Sequence, residues 1–443
     1  MKGIKLSLVA LVALSSSIVA GGDLKKVDVV ATDVEQVEES FGKFSGQWRT
    51  FYIDRTYNGI IENNRNSLNT GGYIGYETKS FSGFSVGLKA YGTYGLEIHG
   101  TPLTSSNYDP SLYGDDFDSY IFLGEAYLNY KISNTNIKIG RQRLDTPLAG
   151  ADDARMLPNL FEAVVLSNTD ISDTTLIAAH VTKETVGTFG NVYGEAGALS
   201  LQSGYGLGYK LGTSGDFATM GEIALGEGTD TSGVSALAAI YSGVEGLKLQ
   251  AWDYYAYDIL NAVYLQADYK WNWLKASAQY INQSDVGDAL AGVVDSNYLA
   301  FKLGTSYQNL SAYVAYSTTD SSDGAMNGGV LTPWGGMPAF TQGMVTRHQF
   351  FADTDTTKVA ATYKFNETGL NLKASVYYVS FDIGENNSYV NGTAWTAKEA
   401  GFDVQYTPES FKGLNLRLRA NFPTDFKEGL DWEEYRFIIN YNF

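Results

Sequence analysis

Segments of about ten residues in which apolar and polar side chains alternate recur along most of the chain, and no other feature restricts the fold as severely. Leu414, Leu416, Leu418 and Ala420 alternate with Asn415, Arg417, Arg419 and Asn421. Val359, Ala361, Tyr363 and Phe365 alternate with Lys358, Thr362 and Lys364, and Leu370, Leu372, Ala374, Val376 and Tyr378 with Asn371, Lys373, Ser375 and Tyr377. A period of two gives each set its own face of a β-strand. Globular strands have a mode of about 5–6 residues, whereas about 9–11 are needed to cross a bilayer at a tilt. The length therefore favours a membrane barrel over a soluble sandwich, with apolar residues in lipid and polar ones on a wet lumen.

Strands are predicted near 44–53, 70–79, 84–94, 119–131, 135–143, 161–168, 174–183, 234–242, 246–257, 260–270, 273–282, 297–306, 309–318, 356–365, 370–381, 398–406, 413–421 and 433–443. Tight turns such as Ser133-Asn134 and Trp271-Asn272 alternate with longer excursions at 95–118, 184–233 and 319–355. The expected fold is all-β, a transmembrane antiparallel β-barrel of eighteen strands with short periplasmic turns and long extracellular loops. For the eighth strand, 218–226 competes with 234–242, which leaves sixteen or twenty strands as alternatives. All eight prolines, at 102, 110, 147, 158, 333, 338, 408 and 423, are assigned to connections, because a fully paired sheet can spare no N–H.

Lys2 and Lys5 precede an apolar run from Leu6 to Val19 that ends in Ala20-Gly21-Gly22, so residues 1–20 read as a signal peptide. Residues 21–43 are expected to be a periplasmic leader, and 44–443 the barrel. In the leader, Leu24, Val27, Val34 and Val37 with Asp28, Asp33, Glu35 and Glu38 could form a short amphipathic helix. No later stretch reads as a membrane helix: the longest uncharged run, 324–346, contains Pro333, Pro338 and many glycines. At the far end Tyr435, Phe437, Ile439, Tyr441 and Phe443 share a face and the chain stops on that Phe. This resembles the terminal strand that barrel-assembly machinery recognises, and points to the lipids of a Gram-negative outer membrane.

Enzyme chemistry finds little support. The chain has no Cys and three His without an H-x-x-x-H pair, which argues against thiolate and imidazole metal sites. Gly83-Phe84-Ser85-Val86-Gly87 matches a hydrolase pattern, but that motif needs a strand, a sharp turn and a helix, and Ser85 instead opens an alternating strand. The acidic runs Asp115-Asp116-Phe117-Asp118, Asp152-Asp153 and Asp353 with Asp355 could bind calcium. None shows the Gly-punctuated calcium loop, so solvated charge is the favoured reading and no cofactor is expected. The 31 Lys+Arg against 49 Asp+Glu give −18, and a surface of that sign repels nucleic acid.

The cations are more informative. If Tyr435, Phe437 and Ile439 face lipid, Arg436 faces the lumen, and Leu416 and Leu418 send Arg417 and Arg419 inward. Trp48 and Tyr52 do the same for Gln47 and Arg49. Once the barrel closes these strands are neighbours, so Arg49, Arg417, Arg419 and Arg436 are expected to form one basic patch. Lys138, Lys358, Lys364 and Lys373 share the inward parity. A slip of one residue would turn each into lipid at about 2–4 kcal/mol near the midplane. Such arginines either bind carboxylates and phosphates bidentately or pair with lumenal acids and keep the wall wet.

The run Gly140-Arg141-Gln142-Arg143-Leu144-Asp145-Thr146-Pro147-Leu148, continuing as Asp152-Asp153-Ala154-Arg155-Met156-Leu157-Pro158-Asn159-Leu160-Phe161-Glu162-Ala163, resembles the third-loop region of OprD-type outer-membrane porins. Tyr264-Leu265-Gln266-Ala267-Asp268-Tyr269 is similar to a later strand of that family. The resemblance implies an eighteen-stranded channel for passive diffusion of small hydrophilic solutes and ions, often carboxylate-bearing, narrowed by an inward-folded loop opposite a row of basic residues. By position that loop is 144–160, with Asp145, Asp152, Asp153 and Arg155 as constriction groups and the arginine patch as the basic row. Acids opposite bases would set a transverse field across the passage. Arg141 shares the lipid-facing parity of Ile137 and Ile139 and is placed at the headgroup level or on a bulge, outside the pore lining. The rivals are an outer-membrane enzyme and a structural or adhesive barrel with a plugged lumen. For the second, 324–346 could be the plug, although a mobile external loop is the favoured reading. General porins are commonly trimers, which makes a homotrimer the candidate assembly, yet no stripe marks an interface.

Overall fold

In the computed structural model the described residues are 41–100, 103, 106–191 and 214–443. The predicted signal peptide and leader residues 21–40 lie outside them. Among the described residues eighteen long strands follow one another: β1 (Gly42–Gly59), β2 (Asn63–Thr78), β3 (Phe84–Leu96), β4 (Tyr120–Ile132), β5 (Thr135–Gln142), β6 (Leu160–Asn168), β7 (Thr174–Thr185), β8 (Val234–Val244) and β9 (Leu247–Ala256). The second half is β10 (Leu260–Trp271), β11 (Leu274–Asp285), β12 (Asp295–Tyr307), β13 (Leu310–Thr319), β14 (Thr354–Lys364), β15 (Leu372–Ile383), β16 (Trp395–Tyr406), β17 (Leu414–Thr424) and β18 (Leu430–Asn442). Each strand pairs antiparallel with the next, and β1 pairs with both β2 and β18, so the sheet closes on itself. Closure leaves no unpaired edge in the lipid, which a spanning sheet requires.

The eighth strand is the 234–244 segment. Of the competing stretch only Ala218–Thr219 is extended, hydrogen-bonded to the outer end of β7. Met220–Leu225 is instead a short helix, α1, which starts in a capping box between Thr219 and Glu222.

The faces divide as the alternation requires. Trp48 is 56% exposed while Gln47 and Arg49 are 7% and 5% exposed, so the tryptophan faces outward and its neighbours inward. Leu418 is exposed between buried Arg417 and Arg419, and Tyr435 and Phe437 flank buried Arg436. Ile439 is half-buried on the same outward face. Trp271, Trp273, Tyr307, Phe81 and Phe411 are exposed beside the short turns, where an aromatic girdle belongs at the lipid–water boundary. Phe443 completes the seam: its N–H and carbonyl exchange 3.0 and 2.9 Å hydrogen bonds with Gly46 of β1. Its ring lies where a Cβ on Gly46 would stand.

Two sequence expectations are corrected here. The first two strands run well beyond 44–53 and 70–79, because β1 and β2 stay paired as far as Tyr57 with Asn63. Asp54, Thr56, Asn64 and Asn66 make the outward positions of this extension polar, so the apolar alternation that marks lipid contact stops before the strands do. Pro423 also falls inside a strand, opposite Glu399 of β16. It is tolerated because the ladder with β18 has ended at Asn421.

The 324–346 segment also departs from its expected place. This segment, expected outside the barrel, lies inside it: residues 328–337 and 341–352 are buried without interruption. Wall side chains hydrogen-bond its backbone. The Gln283 amide donates to Leu331 O (2.8 Å) and accepts from Leu331 N (2.7 Å), and Ser296 and Thr319 donate to Gly329 O and Gln349 O at 2.8 and 2.6 Å. These bonds satisfy loop backbone that has lost its water.

Candidate functional site: a constriction inside the barrel

β5 and β6 are the shortest long strands, and the chain between them, 143–159, leaves the wall and turns inward. It meets the inward 320–353 segment, since Ala149 makes bridge contacts with Trp334 and Gly335. Thr188 and Asn159 secure its return: the Thr188 hydroxyl accepts from Met156 N and Leu157 N, and Asn159 Oδ1 accepts from Gly187 N at 2.7 Å. Part of the loop between β3 and β4 also packs inside, with Tyr108, Asp109, Ser111 and Leu112 fully buried.

Each charged residue singled out in the constriction loop is bound to a partner. Asp153 takes Arg49 of β1 at 2.6 Å and Arg143 at 3.2 Å, Asp145 takes Arg143 at 2.9 Å, and Asp152 takes Arg347 of the second inward loop at 2.9 Å. Arg155 donates to Glu434 of β18 at 3.2 Å. Burial alone would raise the Asp153 carboxyl, but Arg49 and Arg143 together hold it well below the usual range. For Asp145 burial outweighs Arg143, and for Asp152 it outweighs Arg347 and Arg155, so both are raised. With arginines on Asp152 and Asp153, the calcium reading fails for that pair. Among the described residues no group of three or more His, Cys, Asp and Glu could hold a metal.

The arginine patch exists as geometry: Arg419 stands opposite Arg436 across the β17–β18 ladder, with Arg417 two residues along. Yet its charge is largely met from within. Asp403 of β16 is 3.0 Å from Arg417 Nε and from Arg419 Nε, and Arg436 Nε is 2.9 Å from Glu434. Arg49 touches Asp153 directly, which corrects the expectation of acids and bases facing each other across a gap at this pair. Charges this deeply buried persist only when paired.

Lysines behave differently. Lys358 of β14 is buried, donates to Gln342 O and lies 5.1 Å from the Tyr377 ring. Lys302 of β12, which the sequence reading passed over, is half-buried with its ammonium 4.1 Å from the Phe340 ring. Both stand opposite the small Ala315 of β13 in one cross-strand row. Below them, toward the short turns, Lys270 pairs across the sheet with Lys275, and Lys364 with Lys373. No carboxylate salt bridge is made by Lys270, Lys275, Lys302 or Lys364 among the described residues. Asp268, whose charge acts on Lys302, accepts hydrogen bonds from Ser277 and Gln266 at 2.6 Å each. The signal for Lys302 was available: it sits between outward Phe301 and Leu303 and has inward parity for the same reason as Arg417. On the opposite wall Lys138 lies 3.6 Å from the Tyr127 ring. Arg141 faces outward, 3.6 Å from Glu162 and stacked 4.2 Å from Phe217.

Glu399 of β16 fastens the second inward loop. Its carboxylate accepts from the backbone N–H groups of Met344 (2.7 Å), Val345 (3.3 Å) and Thr346 (2.6 Å), and from the Tyr377 hydroxyl.

Comparison with known families matches residues 37–443 to the outer membrane porin, OprD family. Curated protein sequences gave no match. Among solved structures, Pseudomonas aeruginosa OccK9 (OpdG) superposes with a TM-score of 0.72 at 19% identity, over 91% of this chain and 98% of that one. P. aeruginosa OpdK with vanillate gives 0.70 at 18% identity, over 90% and 98%. P. aeruginosa OccK2 (OpdF) in complex with glucuronate gives 0.67 at 18% identity, over 90% and 97%. At these identities the likeness speaks for the fold.

Proposed function

The chain belongs to the OprD family of outer membrane porins, and on that premise we propose that it passes small anionic solutes, carboxylates foremost, down their gradients. An eighteen-stranded barrel is wide enough for an aqueous channel, and the protein is a channel of the Gram-negative outer membrane. The observation that carries the solute class is the separation of lumenal cations. Arginines near the constriction are held by acids, whereas among the described residues the β10–β15 wall presents Lys270, Lys275, Lys302 and Lys364 without a carboxylate salt bridge. An ammonium group not already neutralised raises the local concentration of anions in a low-dielectric passage. The vanillate and glucuronate in the similar structures are both carboxylates, which supports the same class here. Export directed by residues 1–20, delivery of the terminal strand to the barrel-assembly machinery and packing as a homotrimer belong to the same reading.

The test is the double variant Lys275→Gln plus Lys302→Gln in a planar bilayer under a salt gradient. The expected result is a reversal potential displaced toward cation selectivity at nearly unchanged conductance. An unaltered reversal potential would remove the lysines from the permeation path. A folded protein that never conducts would speak instead for a plugged structural barrel.

A further inference from the structure

Glu434 stands where the wall and two inward loops meet. Its carboxylate is buried completely and takes three guanidinium groups: Arg55 of β1 at 2.6 Å, Arg436 of β18 at 2.9 Å and Arg155 of the constriction loop at 3.2 Å. Arg55 also reaches Asp109 of the β3–β4 loop at 2.8 Å. The Asp109 carboxylate accepts from Ser111 N at 3.0 Å, and Arg155 Nε donates to the Ser111 hydroxyl at 3.1 Å. The contacts thus close a ring from Glu434 through Arg55, Asp109, Ser111 and Arg155 back to Glu434. Three positive and two negative charges share a space from which water is excluded, and within it Glu434 is the one anion that touches both the wall arginines and the constriction loop.

We propose that Glu434 is the positioning residue of the constriction: its carboxylate is the built-in counter-ion that holds the loop at Arg155, and a small carboxylate from solution can replace it once it is removed. The inference rests on the channel reading and adds how the aperture is kept. The geometry requires an anion at that point, because without Glu434 three guanidiniums share the single charge of Asp109, repel one another and draw toward water. The constriction loop can reach water only by leaving the wall. A neutral side chain at 434 therefore removes the tie between Arg155 and the wall, so that the loop, still held by Asp153 on Arg49 and Asp152 on Arg347, fluctuates about those two contacts. A formate or acetate ion has the charge and fork geometry to bridge the same guanidiniums.

Single-channel recordings of Glu434→Ala test this, with folding verified by the migration of unheated protein on a denaturing gel. The expected trace flickers, with open dwell times shortened at least tenfold. Formate at tens of millimolar should restore steady openings, while chloride at equal ionic strength should not. Glu434→Asp should stay quiet, since it keeps the charge. If the alanine variant fails to fold, Glu434→Gln takes its place, with the same flicker and the same formate effect expected. Quiet openings in the alanine or glutamine variant, or flicker that formate leaves untouched, would overturn the proposal. Absence of any conductance in the unmodified protein would instead overturn the channel reading, so the two failures are distinguishable.

Discussion

Arginine and lysine share the inward parity of this barrel yet do different work, and the difference follows from their chemistry. A guanidinium is planar and weakly hydrated and holds a carboxylate with two donors, so it suits a buried network. An ammonium is a compact, strongly hydrated charge that does better facing a wet lumen. Parity alone placed Arg417, Arg419, Arg436 and Lys358 on the correct face. It did not reveal which cations would be neutralised, because that depends on which strand acid lies beside them after closure: Asp403 for Arg417 and Arg419, Glu434 for Arg436. Removing the first pair of arginines would therefore act on stability. Arg417→Ala with Arg419→Ala strands Asp403 as a buried charge, and a loss of about 3–5 kcal/mol is expected, read as a lower unfolding temperature of the detergent-solubilised barrel. The change in selectivity should be smaller than that from Lys275→Gln with Lys302→Gln.

Among the elements, the 320–353 loop was the least legible. Twenty-three residues without a charge, rich in glycine, read as a flexible excursion. The missing charge was in fact the usable signal, since an external loop has no reason to exclude Lys and Asp over such a length, whereas a loop packed inside a barrel does. His348 anchors its return. The imidazole is fully surrounded, stacks on Phe351 at 4.3 Å and lies 2.7 Å by Nε2 from Phe426 O, which assigns the proton to Nε2. Burial pushes its pKa down to about 3 from 6.5, against the smaller opposing effect of the Phe426 bond. The group is neutral when docked and binds a proton more readily when released. Its contribution is whole above pH 6.5 and is lost as pH falls toward about 3, at about 1.4 kcal/mol per unit. Channel noise from loop movement should therefore rise as pH drops from 6.5 to 4, and His348→Gln should flatten that dependence. An equal rise in both proteins would show that another group is responsible.

For the whole molecule, closure is the decisive event, and most of it could be read in advance. Segment length, alternation and the terminal aromatic face named a closed eighteen-stranded barrel. They missed the extension of β1 and β2, where the outward face turns polar while Tyr57 stays buried on the inner one. The seam is narrow at one point, because Gly46 leaves space for the Phe443 ring. Gly46→Val should displace that ring and lower the yield of the fast-migrating, unheated folded form several-fold, with little effect on the denatured band. Net charge was the poorest guide to transport: −18 for the chain coexists with a lysine-lined wall, since many of the acids lie in arginine networks or outside the passage.

An open lumen whose charge is set by the lysine wall should carry anions in preference to cations. The most direct measurement is the reversal potential of the refolded protein in a planar bilayer across a tenfold potassium chloride gradient. Stable ohmic steps with a potential of anion-selective sign are predicted. A cation-selective sign would mean that the lysine wall does not govern passage, and silence from protein shown to be folded would mean that the lumen is closed.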